Sequence, residues 1–273
     1  MPSVPTLTPK QLAQFRRDGM LRLDRLLSPE GVARARSVVL AQFAKLGLWR
    51  DGAWNIPDAL PDWPSAGIKP ARDIGHRHPE IDALVAEPAV MALVEQLNGS
   101  AEIDRTIHPG SQVLASLPNA GPWVLPDSWH VDCPRLPSGR SPGVQIFTFL
   151  EEVGPRGGAT LSLAGSHRLF DKGRAMKTRD IVRGLRGEPF FARLAAERFD
   201  LADPAMPLPF GAIGDVALEV VELTGRPGDA WLVDLRVLHS GSPNAARHPR
   251  VMVTRRFVRA ALVPEISAAY GWR

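Results

Sequence analysis

The second half of the chain consists of short β-rich runs that alternate with turn signals, and this pattern restricts the fold more than any other feature. Among the runs are SQVLASL, GVQIFTFLEE, ATLSLAG, DVALEVVEL, DAWLVDL and VMVTRRFV. The segments between them are rich in Pro and Gly, for example LPSGRSPG, GPRGG and GSPNAARHP, as turns generally are. Many short strands at this spacing predict a mainly β fold, either a sandwich or a double-sheet jelly roll.

The first hundred residues are predicted to be mainly helical and to support the strands. The run TPKQ from Thr8 has the pattern of a capping box with Pro at the first helical position. The run SPEG from Ser28 starts a second helix in the same way. The sequence therefore predicts one domain over residues 1–273, with helical support in 1–100 and a jelly-roll core in 101–262.

Two long connections interrupt this organisation. Residues 49–78 are dense in Pro, Gly and Trp without a clear period, so they form either a lid or a surface loop anchored by its aromatic side chains. Residues 168–214 form an insertion in the core that should contain helix. In a helix Arg179, Arg183 and Arg186 share one face, which is either a basic rim that attracts an anionic substrate or simply a solvated face. Both segments are predicted to lie at the mouth of a pocket.

Composition and charge exclude several classes of protein. The net charge is +4, from 33 basic and 29 acidic residues, and no block of like charges occurs, so nucleic acid is not an expected partner. The chain has one cysteine, Cys133, which excludes an intrachain disulfide. There is neither a signal-peptide pattern nor an apolar run of about 18 residues that would span a membrane. These features predict a cytoplasmic protein.

The run SWHVDCP raises the question of a metal site. His130 and Asp132 are two positions apart, so in a strand their side chains would lie on one face, about 7 Å apart. His239 ends the apolar run DAWLVDLRVLHS, and a polar ring at the end of a buried strand must find a partner. Two imidazoles and one carboxylate form the facial triad of non-haem Fe(II) oxygenases, although a zinc site uses the same donors. Cys133 has the opposite strand parity and should point away.

A basic residue beside this group favours one interpretation. Arg250 follows His239 across the turn GSPNAARHP and enters the run RVMVTRRFV, so the two strands are expected to be neighbours. A planar guanidinium is suited to gripping a carboxylate through two hydrogen bonds. A dicarboxylate whose other end chelates iron would need such a partner. The alternative is that Arg250 is an ordinary surface arginine.

Taken in order, these segments resemble the phytanoyl-CoA dioxygenase family of Fe(II)- and 2-oxoglutarate-dependent oxygenases. LTPKQLAQFRRDGMLRLDRLLSPEGVARAR resembles its N-terminal helical segment, and WHVD carries its His-x-Asp. GPRGGATLSLAGSHR resembles its Gly-rich strand and Gly-Ser-His turn, and GDAWLVDLRVLHSGSPNAARHPR its strand with the distal His and the following Arg. The resemblance covers nearly the whole chain. It implies a double-stranded β-helix, a cupin-like jelly roll, with the N-terminal helices packed on one sheet.

The resemblance also implies roles for individual residues. His130, Asp132 and His239 would bind Fe(II), and Arg250 would bind the far carboxylate of 2-oxoglutarate. Further cosubstrate contacts would come from Ser116, Phe147 and Thr160, for which simple core packing is the alternative. His167, in the Gly-Ser-His turn, would hold that turn and would not be a ligand.

The activity implied is hydroxylation of an unidentified small molecule with O2, releasing succinate and CO2. The presence of Asp132 favours hydroxylation, because halogenating relatives lose this carboxylate. Two alternatives remain. One is a non-oxidative, metal-binding jelly-roll module. The other is a nucleic-acid demethylase of the same superfamily, because Arg250 and Arg256 form an R-x5-R pattern, although such enzymes place the first Arg further beyond the distal His.

Overall fold

The computed structural model describes residues 5–56, 78–99, 102–107, 110–119, 121–170, 173–196 and 203–271. Its strands are β1 Met20–Leu23, β2 Trp49–Arg50, β3 Ala53–Trp54, β4 Gln112–Ser116, β5 Gly143–Phe149, β6 Thr160–Ala164, β7 Phe210–Ile213, β8 Val216–Glu222, β9 Ala230–Asp234, β10 His239–Gly241 and β11 Arg250–Val258. Its helices are α1 Pro9–Asp18, α2 Pro29–Lys45, α3 Pro79–Val85, α4 Pro88–Asn98, α5 Thr178–Leu185, α6 Pro189–Ala196 and α7 Val263–Tyr270.

Two antiparallel sheets form the core. The larger has the order β1-β9-β5-β11-β4 and the smaller the order β10-β6-β8-β7. Non-consecutive strands are neighbours in both sheets, as in a jelly roll. The predicted fold class, a mainly β double-stranded β-helix of the cupin-like jelly-roll type with N-terminal helices on one sheet, is confirmed.

Strand alternation divides the larger sheet into two faces. Val251, Val253 and Phe257 of β11 pack with the helical cluster that contains Phe43 of α2. Met252, between them, belongs to a second cluster that lies between the two sheets. Because side chains alternate along a strand, the even-numbered residues of β11 face the interior. This parity decides which arginines of β11 can reach a site inside the jelly roll.

The N-terminal helices begin and end where local sequence signals place them. Thr8 and Gln11 form the predicted capping box, and α1 ends at Gly19, which has a φ of 74°. A Cβ at Gly19 would lie 2.5 Å from Nδ1 of His167, so this position requires glycine for space as well as for conformation. The strand β1 follows immediately and was not predicted. It is stabilised by pairing with β9, since Met20 lies opposite Val233.

The described part of the 49–78 connection is anchored by aromatic residues. Trp49 and Trp54 face each other in the β2–β3 hairpin, with ring centroids 5.0 Å apart and an interplanar angle of 74°. Trp54 also contacts Phe43 of α2, at 5.1 Å between centroids. The rest of this connection, including Trp63, lies outside the described residues.

The insertion 168–214 contains the two helices α5 and α6, as predicted. They pack on the smaller sheet, in a cluster that combines Ile181, Leu185 and Phe191 with Leu161 and Leu218. The start of α5 contacts the segment after His130, because the Thr178 hydroxyl accepts a hydrogen bond of 3.2 Å from the backbone N–H of Val131. Among the described helices, none is long and apolar enough to cross a membrane.

Candidate metal centre

The two histidines are brought together by the backbone. His130 and His239 exchange two hydrogen bonds, each 2.9 Å from N to O, as an antiparallel bridge. Their rings lie 4.3 Å apart between centroids. The sequence predicted a strand through Asp132, but the bridge is isolated and the chain bends at Asp132 and Cys133. The bend still leaves the Asp132 carboxylate on the side of the two imidazoles.

The three predicted donors form one cluster. Among the described residues, His130, Asp132 and His239 are a group whose ligand atoms all lie within 4.8 Å of one another. Nδ1 of His130 is 3.0 Å from the carbonyl of Ser128, and Nδ1 of His239 is 3.1 Å from the carbonyl of Val237. A carbonyl oxygen only accepts hydrogen bonds, so each Nδ1 carries the proton. Each Nε2 is therefore left with a lone pair for a metal ion.

Electrostatics favours the protonation states that bind a metal. Burial raises the pKa of Asp132, but His239 and Arg256 act against it and hold this pKa well below its usual range. Burial, followed by the proximity of His239, lowers the pKa of His130. A carboxylate that stays ionised and an imidazole that stays neutral can accept a cation without first releasing protons.

The donor set fits a divalent cation. Oδ2 of Asp132 is buried and has no hydrogen-bond partner, and Nε2 of His239 lies 3.4 Å from it. Both atoms belong to the group of possible metal ligands. A cation held by these two atoms and by His130 would give the buried carboxylate oxygen a partner. Two nitrogens and one oxygen that leave further positions open match a non-haem iron site.

A cavity of about 170 Å³ adjoins the three donors. Three of the predicted cosubstrate residues, Phe147, Thr160 and Arg250, line it. Phe147 also packs edge-on against His239, at 6.2 Å between ring centroids. The fourth, Ser116, lies opposite Arg250 in the sheet and accepts a hydrogen bond of 3.2 Å from its Nε. Ser116 thus orients the guanidinium.

Arg250 is a buried cation. It is 8% exposed, and its Nη1 lies 3.6 Å from the sulfur of Met252, a weak acceptor. Among the described residues no carboxylate forms an ion pair with it. Burial lowers the pKa of Arg250 to about 10. A guanidinium buried in this way is costly unless an anion is bound beside it.

Four further polar residues line the cavity: Gln112, Gln145, Thr254 and Arg256. Arg256 donates a 2.7 Å hydrogen bond from Nη2 to Oδ1 of Asp132. Gln145 donates to the hydroxyl of Thr254 at 2.8 Å. The sequence already indicated that Arg256 shares the strand parity of Arg250, and the same parity could have identified Thr254.

Cys133 and His167 lie away from the three donors, as the sequence predicted. Cys133 is fully buried in a cluster with Leu136 and Leu235. His167 is in the short 3-10 turn after β6, and its Nε2 is 3.1 Å from the carbonyl of Arg16. His167 therefore connects the Gly-Ser-His turn to α1.

A jelly roll that holds two imidazoles, one carboxylate and a neighbouring buried guanidinium defines the class of non-haem iron oxygenases. The comparisons with known proteins agree. The model of the phytanoyl-CoA dioxygenase (PhyH) family matches residues 15–252. The chain belongs to this family, and it is an enzyme of the Fe(II)- and 2-oxoglutarate-dependent oxygenases. A search of curated proteins found no match.

Solved structures share the fold at low sequence identity. The alpha-ketoglutarate-dependent carbocyclase SnoK from nogalamycin biosynthesis is 18% identical, with a TM-score of 0.58 over 93% of this chain and 85% of SnoK. EctD from S. alaskensis, crystallised with 2-oxoglutarate and 5-hydroxyectoine, is 20% identical, with a TM-score of 0.57 over 93% of this chain and 77% of EctD. HygX from Streptomyces hygroscopicus, with nickel and 2-oxoglutarate bound, is 16% identical, with a TM-score of 0.54 over 94% of this chain and 88% of HygX.

Proposed function

We propose that the protein is an Fe(II)- and 2-oxoglutarate-dependent dioxygenase that hydroxylates a small molecule and releases succinate and CO2. His130, Asp132 and His239 would hold the iron. The observation that supports this most is Arg250, a buried guanidinium that lines the same cavity as the three donors and is paired with no carboxylate in the described part of the chain. A protein that only binds a metal does not require a buried cation beside the site, whereas a dicarboxylate cosubstrate would neutralise the charge of Arg250.

Four residues in or beside the cavity have a part in this proposal. Arg250 binds the far carboxylate of 2-oxoglutarate, and Ser116 fixes the plane of the guanidinium. Phe147 and Thr160 form walls that orient the carbon chain between Arg250 and the metal. Arg250 is buried, so its ionic contact with a bound carboxylate is stronger than it would be in solution. Iron held by His130, Asp132 and His239 would supply oxygen activation, with one oxygen atom of O2 ending in succinate and the other in the hydroxylated product.

Succinate formation tests the proposal. The protein is loaded with Fe(II) without oxygen, mixed with 2-oxoglutarate and oxygenated buffer, and the succinate is quantified with and without a metabolite pool. Wild-type protein and Arg255→Met should both produce succinate. Arg255 is a matched control, because it lies on the opposite face of β11 and pairs at 3.8 Å with Asp82. Arg250→Met should produce far less. Wild-type protein that consumes no 2-oxoglutarate under any of these conditions would refute the proposal.

We also propose that the substrate is a small anionic molecule and not a nucleic acid. Support comes from α5, where Arg179, Arg183 and Arg186 are exposed. The Thr178 hydroxyl at the start of this helix donates to the carbonyl of Val131 at 3.3 Å. The basic face of α5 therefore begins next to the metal-binding segment. The R-x5-R alternative is less favoured, because Arg256 is engaged with Asp132.

Two wider proposals concern the whole chain. We propose that residues 1–273 work as one domain, because β1 from the helical first hundred residues is a strand of the larger sheet. A cytoplasmic location is supported by the free, buried thiol of Cys133, which has no disulfide partner. Expression with a fluorescent fusion followed by fractionation would test the location.

A further inference from the structure

The two oxygens of the Asp132 carboxylate have different surroundings. Oδ1 accepts the 2.7 Å charge-assisted hydrogen bond from Nη2 of Arg256. Oδ2 lies 3.4 Å from Nε2 of His239, within the group of donors. One oxygen is therefore directed at the metal position and the other is bound to a guanidinium.

The guanidinium of Arg256 is itself fixed in orientation. Its Nη1 donates a 3.3 Å hydrogen bond to Oε1 of Gln112 on β4, on the neighbouring strand of the larger sheet. Its side chain is 16% exposed, so solvent competes little for these contacts. Tyr270 of α7 holds the backbone of the same ligand, because its hydroxyl donates to the carbonyl of Asp132 at 3.2 Å. Asp132 is thus fixed at both its side chain and its main chain.

We infer that Arg256 is a positioning residue that restricts Asp132 to a single oxygen on the metal. This inference rests on the proposed function, in which Asp132 is an iron ligand. Carboxylates bind metals through one oxygen or through both. A second bound oxygen would take one of the positions that the chelating cosubstrate and O2 need. Because Arg256 occupies Oδ1 with a strong hydrogen bond, those positions stay open.

The two interior arginines of β11, Arg250 and Arg256, have different hydrogen-bond partners. Arg250 is held by a neutral hydroxyl and is available to an external carboxylate. Arg256 is paired with an internal carboxylate and a side-chain amide. Arg256 therefore acts on catalysis through the metal ligand, without touching the cosubstrate's far carboxylate.

Cobalt(II) offers a readout that needs no turnover. The intensity of its visible absorption reports the coordination number, so Co(II) is titrated into wild type, Arg256→Met, Arg256→Lys and the control Arg255→Met. Loss of a residue that orients a metal ligand typically weakens metal binding or activity by about 10–100-fold. Arg256→Met should show this loss and an altered Co(II) spectrum. Arg256→Lys should recover part of both, because it keeps one charged donor, and Arg255→Met should match wild type.

The same variants are then compared for 2-oxoglutarate turnover. Arg256→Met should lower kcat by about tenfold or more with little change in the KM for 2-oxoglutarate, whereas a defect confined to Arg250 raises KM. If Arg256→Met does not fold by circular dichroism, Arg256→Leu replaces it with the same expectations, because it also lacks a donor. A folded variant with the metal affinity and Co(II) spectrum of wild type would overturn the inference. Wild-type protein that binds Co(II) through Asp132 but forms no succinate would refute the proposed function alone.

Discussion

Replacing Arg250 with methionine should stabilise the cosubstrate-free protein and weaken its binding of 2-oxoglutarate. In the unliganded protein Arg250 is a buried cation whose pKa falls from 12.5 to about 10 through burial. At roughly 1.4 kcal/mol for each pKa unit, keeping this charge inside costs about 3 kcal/mol. Losing the hydrogen bond to Ser116 costs about 1 kcal/mol in return. Arg250→Met should therefore raise the free energy of unfolding of the cosubstrate-free protein by about 2 kcal/mol.

The effect on cosubstrate binding has the opposite sign. The variant loses a charge-assisted contact worth about 1.5–3 kcal/mol, so the Kd for 2-oxoglutarate should rise roughly ten- to a hundredfold or more. Binding of the metal should survive, because Arg250 touches none of its three donors. Ser116→Ala keeps the charge of Arg250 but removes the hydrogen bond that orients its guanidinium. It should therefore raise the Kd for 2-oxoglutarate less than Arg250→Met does.

Both effects can be measured on the same samples. Urea denaturation without ligand gives the free energy of unfolding, and anaerobic calorimetry with Fe(II) present gives the Kd. Arg255→Met controls for the removal of an arginine from β11. An unchanged Kd in Arg250→Met would refute the cosubstrate assignment. A large loss of stability without ligand would instead show that Arg250 is a structural residue whose charge is compensated.

The remaining predictions concern the metal, pH and substrate access. Asp132→Ala should reduce bound iron at least about tenfold, and unchanged iron stoichiometry by atomic absorption would contradict the assignment. Burial lowers the pKa of His167. Below pH 6.5 the unfolded chain therefore takes up a proton that the folded protein excludes, and the free energy of unfolding should fall as the pH drops through that window. The slope from this one group is at most about 1.4 kcal/mol per pH unit, and the total slope should be smaller in His167→Asn. Urea denaturation of the metal-loaded protein measures both slopes, and equal slopes would contradict the argument. Arg179→Glu should raise the KM of an anionic substrate in a salt-sensitive way and more than Arg186→Glu does, and a KM insensitive to both reversals would remove the support for a basic rim.

Local pattern was sufficient for the fold class, and it singled out three side chains whose ligand atoms lie within 4.8 Å of one another in the structure. Alternating apolar residues and turn signals fix short strands, and the HxD spacing with a distal His defines the donor set. The bend after His130 was not predictable in this way, because Asp132 is held by Arg256 and Tyr270 from distant parts of the chain.

Two other features were missed for the same physical reason. The strand β1 is a run of four residues, MLRL, and it is stabilised by its pairing with β9 near the other end of the chain. The partner of Arg256 depends on how β11 and the His130 segment meet in space. Sequence periodicity shows which face an arginine occupies, but it does not show which acid lies opposite.

The burial of Cys133 has a practical consequence for following motion in this protein. Its side chain is fully enclosed, and burial raises the pKa of the thiol to about 12. The thiolate is the form of cysteine that attacks alkylating reagents, so at neutral pH the native protein should react as though it contained no cysteine. An introduced cysteine such as Arg183→Cys, at an exposed position of α5, would then be the single labelling site without any background mutation. A fluorophore or spin label attached there would report on the helix beside the metal-binding segment while cosubstrate and substrate bind.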